Sequence, residues 1–330
     1  MRVYARLGGL SAVLYSVFYA IGHAYWILVV GAILEGLSRS FYSGNNDALL
    51  HDTLYEKQQD KEFSDFLGKV TAMSQAALGV SALIGSVFVG WSFALIMWIS
   101  VLPQIICFFL GFFLYEPKAF EKTSATFTHV KIAFTLFMKN KKLRTISTAS
   151  MISYAVGEAM FDFQAIFISA VWPIWAIGIG RTVNSALATV SFHFSGKLIK
   201  KFGASKLMMM SNAYNRVASI LAYGFPTIIS PALLSSTGAV YGALTISKST
   251  LLHREFTHEQ RATMGSLNSF LGSIGYGLFA FCLGLLADKI SPTAALLIGQ
   301  VPQLITTWLY WKVFQHERKE QAALSVHELT

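Results

Sequence analysis

Four acids and two arginines stand where apolar sequence would be expected to exclude charge. Glu35 and Arg39 interrupt the run that opens at Trp26, and Asp47 follows Asn45 and Asn46 shortly after. Glu158 and Asp162 lie in a second apolar run, and Arg181 and Asn184 lie in a third. A spacing of four puts Glu35 with Arg39, Ser43 with Asp47, and Glu158 with Asp162 on single helix faces. At a rise of 1.5 Å per residue, about 20 residues cross a hydrocarbon core about 30 Å thick, so Glu35 and Arg39 are expected well inside the membrane. A charge at that depth costs at least a few kcal/mol unless it pairs or faces a wet cavity. The turn expected near residues 171–174 sets Asp162 and Arg181 at similar depths on the two arms of one hairpin. A buried acid–base pair is predicted there, with Glu158 and Asn184 one layer deeper. Such a pair is either a charge-neutral packing clamp or part of a solute or proton path, and both readings stand.

Other chemistry finds little support. The chain contains no G-x-x-x-x-G-K-[ST] phosphate loop, no H-E-x-x-H and no G-x-S-x-G elbow. His193 stands alone in its run, as a hydrogen-bonded packing residue or a titrating site. Cys107 and Cys282 sit in apolar runs and read as small buried hydrophobes, not as a metal pair or a disulfide. Neither an enzyme nor a cofactor or metal is expected.

The elements that would position the charges are membrane helices. The 330 residues are 54% hydrophobic and only 13% charged, with a mean hydropathy of +0.52; ordinary soluble domains carry about 25% charge. Runs such as 104–114 are apolar at consecutive positions, which excludes the alternation of a membrane barrel. Ten spans are read: about 7–24, 26–50, 66–89, 93–114, 145–170, 175–198, 207–225, 227–252, 264–287 and 293–314. With the N-terminus in the cytoplasm, nearly every lysine and arginine between spans falls inside, and Lys289 alone falls outside. That asymmetry puts both termini in the cytoplasm and makes the net charge of +9 an orientation signal, not a nucleic-acid footprint. The domains expected are a four-span bundle at 1–114, a cytoplasmic linker at 115–144, a six-helix bundle at 145–315 and a polar tail at 316–330. Within the linker, Phe127, Val130, Phe134 and Phe137 recur at helical spacing, as an interfacial amphipathic helix would. The seventh span also holds Asn212, Asn215 and Arg216.

Residues 35–54, EGLSRSFYSGNNDALLHDTL, resemble the fourth helix and its cytoplasmic exit in a bacterial branch of the major facilitator superfamily of secondary transporters. Residues 196–206, GKLIKKFGASK, resemble the second-half copy of that family's Gly-x-x-x-Asp-Arg-x-Gly-Arg-Arg loop: Gly196 and Gly203 match, while Lys200 replaces the acid and Lys201 the arginine. Arg261-Ala-Thr-Met-Gly-Ser and Gly284-Leu-Leu-Ala-Asp are similar to its eleventh helix. The resemblance implies an all-α polytopic bundle, with a gating loop at Gly196, Lys200, Lys201 and Gly203. Against the family's twelve helices, four spans before the linker and six after it imply that the first two are lacking, by truncation or in a reduced variant. Spans two, five and eight would then line the cavity. The implied function is alternating-access transport of a small solute, proton-coupled through Glu35, Glu158 and Asp162. Arg39 and Arg181 would hold those acids or an anionic solute. Export, a monomer and a plasma or inner membrane complete the expectation. The rival reading is a non-transporting membrane scaffold or sensor on the same helices.

Overall fold

The computed structural model describes residues 2–42, 45–59, 63–88, 90–114, 138, 141–254 and 258–327. These form thirteen helices, and no strand occurs among them. They are α1 (Arg2–Ile21), α2 (Tyr25–Tyr42), α3 (Asn45–Glu56), α4 (Phe63–Phe88), α5 (Phe93–Phe113), α6 (Lys141–Val171) and α7 (Ile174–Phe202). There follow α8 (Ala204–Gly224), α9 (Ser230–Ser236), α10 (Gly238–Arg254), α11 (His258–Lys289), α12 (Pro292–Ile298) and α13 (Gln300–His327). The hairpin turns fall where the sequence places them, after Ile21, before Phe93 and after Val171. Ser92 caps α5 by accepting from the Leu95 amide at 3.3 Å, and Ser291 caps α12 in the same way at 3.1 Å.

Several expected spans differ in form. The second divides into α2 and α3, the eighth into α9 and α10, and the tenth into α12 and α13. The expected polar tail is helical where described, since α13 continues through His316 to His327. The amphipathic stripe at Phe127–Phe137 lies outside the described residues. Cys107 and Cys282 are free and exposed rather than buried.

The chain forms two compact units, Met1–Leu67 with Ile84–Ser124, and Gly68–Leu83 with Ala125–Thr330. The middle of α4 belongs to the second unit. There Thr182 of α7 donates to the Gly79 carbonyl at 3.0 Å, and a side chain at Gly79 would crowd Ser185. In the first unit, α1 packs against both α2 and α5, and Ser38 donates to the Gly8 carbonyl at 2.9 Å.

The second unit contains two apolar cores. One gathers Val156, Met160, Phe167, Tyr223, Leu283 and Leu296. The other gathers Ile146, Met208, Leu244, Leu251, Tyr310 and Val313. Gly238 and Gly242 let α10 lie directly on α7: an added Cβ would run into the Asn184 carbonyl oxygen and the Phe192 amide nitrogen.

Burial runs opposite to apolarity. Among the described residues, five stretches are long and apolar enough to cross a membrane by themselves: Val3–Ile21, Phe66–Phe88, Ala94–Phe113, Leu143–Val171 and Asn268–Lys289. The most apolar, Ala94–Phe113, is 11% buried, whereas Val3–Ile21, among the least apolar, is 39% buried. Trp26, Met73, Trp91 and Phe113 are each more than two-thirds exposed. Apolar helices turned outward need hydrocarbon as their solvent, and the protein is a multi-pass membrane bundle. The remaining expected spans are split or carry polar groups.

Candidate functional site

In the first unit, α2 presents Glu35 and Arg39 one turn apart. Arg39 donates to Glu35 Oε1 through Nη2 at 2.8 Å and through Nε at 3.1 Å. The other carboxylate oxygen accepts from the Tyr19 hydroxyl of α1 at 2.8 Å. The ring of Tyr15 meets Tyr19 edge-on, and Gln104 of α5 donates to the Tyr15 hydroxyl at 3.4 Å. The pair is less secluded than its spacing predicts. Arg39 falls in the last turn of α2, with its side chain 72% exposed against 29% for Glu35. Ser43 and the side chain of Asp47 lie outside the described residues.

In the second unit, Glu158 and Asp162 project from α6, Glu158 half-buried and Asp162 exposed. The expected Asp162–Arg181 ion pair is not formed. The Asp162 carboxylate instead accepts from the Tyr276 hydroxyl of α11 at 2.7 Å. Arg181 donates through Nη2 to the Phe161 carbonyl at 2.8 Å and stacks its guanidinium 3.6 Å above the Phe161 ring. The depth match is right and the bond is not: Arg181 reaches the residue before Asp162. Stacking on an aromatic face offers a planar, weakly hydrated cation a partner without a carboxylate.

Asn184 has a defined task. Its amide donates to the Ser235 carbonyl at 3.0 Å and to the Thr237 hydroxyl at 3.5 Å, at the break between α9 and α10. A broken helix frees carbonyls that hydrocarbon cannot satisfy, and a side-chain amide can. Beyond the break, Tyr241 and Lys248 of α10 are electrostatic neighbours of Glu158. The sequence reading missed Tyr19, Gln104, Tyr276, Tyr241 and Lys248 as site residues. Lys248 could have been found, since it falls inside the expected eighth span.

The expected gating loop is mostly helical. Gly196, Lys200 and Lys201 belong to the exposed last turns of α7, where lysines suit the negative end of the helix dipole. Only Gly203 leaves the helix. Its φ of +82° favours glycine, and its amide closes α7 on the Ile199 carbonyl.

Each unit thus carries a helix carboxylate that accepts from a tyrosine hydroxyl of a neighbouring helix, Glu35 from Tyr19 in the first and Asp162 from Tyr276 in the second. Among the described residues, no group of three or more histidines, cysteines or acids could hold a metal ion. The fold is similar to that of several solved transporters. The nucleoside transporter NupG matches with a TM-score of 0.75 at 16% identity, over 95% of this chain and 83% of its own. The Escherichia coli fucose:proton symporter FucP matches with a TM-score of 0.62 at 12% identity, over 94% and 83%. A bacterial homologue of the iron transporter ferroportin, in an outward-facing state, gives 0.61 at 15% identity, over 94% and 81%. At these identities the likeness speaks for the fold alone. None of the curated proteins matches the chain. The model of the Major Facilitator Superfamily matches residues 2–272, most of the sequence, and the chain belongs to that family of transporters.

Proposed function

We propose that this protein moves a small solute by alternating access and that Glu35, Glu158 and Asp162 couple the movement to protons. The observation that carries the reading is a tyrosine–carboxylate contact in each unit, Tyr19 to Glu35 and Tyr276 to Asp162. A phenol donates to an ionised carboxylate and can accept from a protonated one, so the contact survives either state. Neither acid is fully covered by protein. Arg39 holds Glu35, while Arg181 stands beside Asp162 without neutralising it, free to meet an anionic part of the solute. Gly203 and the lysine pair at the end of α7 are assigned to gating on the motif resemblance. Export is the direction and a monomer the working unit, the direction on family resemblance alone. The distribution of lysine and arginine supports cytoplasmic termini in a plasma or inner membrane.

The test uses the purified full chain in liposomes loaded with a pH-sensitive dye. Fucose and other sugars, and nucleosides, the solutes for which FucP and NupG are named, are first screened for protection against heating. A protecting solute should then drive proton movement in the unaltered protein. Glu158→Gln with Asp162→Asn should abolish that proton signal, and an unchanged signal at every pH would remove these acids from the mechanism.

A further inference from the structure

Between the two apolar cores of the second unit lies a polar layer shared by three helices. On α8, Asn212 and Arg216 fall between Met208 of one core and Tyr223 of the other. On the α12–α13 strand of the bundle, Gln300, Gln303, Thr306 and Thr307 fall between Leu296 and Tyr310. On α6, Ser153 falls between Ala149 and Val156, and its carbonyl accepts from Gln303 at 3.3 Å. Asn212, Gln300, Gln303 and Thr306 are each no more than 2% exposed.

This layer holds a positive charge and a surplus of donors. The Arg216 Nη1 donates to Gln300 Oε1 at 2.9 Å, which fixes that amide with its oxygen toward the guanidinium. The Gln300 NH2 is left with the Met160 thioether at 3.7 Å, a weak acceptor. Asn212 accepts from Thr307 through Oδ1, and its Nδ2 has no partner. The Arg216 Nε is shut off from solvent and also has none. Among the described residues, no carboxylate lies within ion-pair distance of Arg216. The guanidinium's own Nε and the Asn212 amide one turn away on α8 lack a partner, the Gln300 amide is poorly paired, and the charge lies midway along a membrane helix without a carboxylate. Such a charge demands compensation.

We propose that this layer binds a small anion, with Arg216 supplying the charge and the amides of Asn212 and Gln300 supplying further donors. A chloride-sized ion or a carboxylate of a small organic solute would satisfy the same donors. The site is separate from the acids assigned to proton coupling, and its readout does not depend on transport.

The test is thermal unfolding of the detergent-purified full chain at constant ionic strength. Sodium methanesulfonate, neither a halide nor a carboxylate, is replaced stepwise by sodium chloride in one series and by sodium formate in another. A saturable rise of a few degrees is expected in the unaltered protein with at least one of them. Saturation by chloride identifies an inorganic ion, and saturation by formate alone identifies a carboxylate. Arg216→Gln should unfold at a temperature independent of either anion. Should that variant fail to fold, Gln300→Leu keeps the charge and should weaken the anion midpoint roughly tenfold. Absence of any saturable rise in the unaltered protein, or the same midpoint in these variants, overturns the proposal.

Discussion

Glu35 illustrates how magnitude separates a structural from a functional carboxylate. Its partner Arg39 is largely in the open, and exposed pairs spaced four apart on a helix contribute only ~0.3–0.5 kcal/mol. The Tyr19 bond, made to a charged group, adds about 1.5–3 kcal/mol. Glu35→Gln keeps the shape and can still accept from Tyr19, so the unfolding temperature should fall by no more than a few degrees. Solute-driven proton movement should fall severely in the same variant; equal small effects on both would make Glu35 a packing residue. The pairing of Glu35 with Arg39 was legible because it is a matter of spacing on one helix. That of Asp162 was not: its donor, Tyr276, lies 114 residues away, and nothing in a glycine-rich apolar run marks one tyrosine as the donor. Hairpin geometry places Arg181 at the depth of Asp162, but the Phe161 ring and carbonyl hold its guanidinium instead.

Helices and turns were more legible than their interruptions. Hairpins declare themselves through Gly90-Trp91-Ser92 or Trp172-Pro173, where polar or ring-constrained residues end an apolar run. The breaks at Thr237 and Gly299 sit inside sequences that remain apolar on both sides, so hydropathy reads through them. Close helix approach was also hidden, because glycines are common in these spans and only some face a backbone. The structure distinguishes them. Gly242→Ala would force a methyl group into the Phe192 backbone and should destabilise the protein by about 2 kcal/mol or more. Gly36→Ala meets nothing within 4 Å and should be neutral or slightly stabilising, by up to ~1 kcal/mol. Thermal unfolding of the two variants side by side checks the α7–α10 crossing.

The bundle as a whole is an inside-out arrangement only in appearance: its most apolar helices are its least buried because lipid completes their packing. Cys107 and Cys282 make this testable, since both are free and exposed within α5 and α11. In intact proteoliposomes neither should react with a charged thiol reagent, and after denaturation in detergent both should; labelling at either site in the intact membrane would place that face in water. The second unit also has two unlike ends. α9 and α12, seven residues each, follow the turns after α8 and α11, beside the α6–α7 turn, where Trp172 donates to the Ile228 carbonyl at 2.8 Å. At the opposite end α6, α7, α10, α11 and α13 run as unbroken rods. One rim is therefore assembled from short pieces tied by single side chains, and in deuterated buffer its amides, 225–237 and 290–299, should take up label well before those of the long helices. Within the second unit, a solute would meet a rim that gives way more readily at one end than at the other.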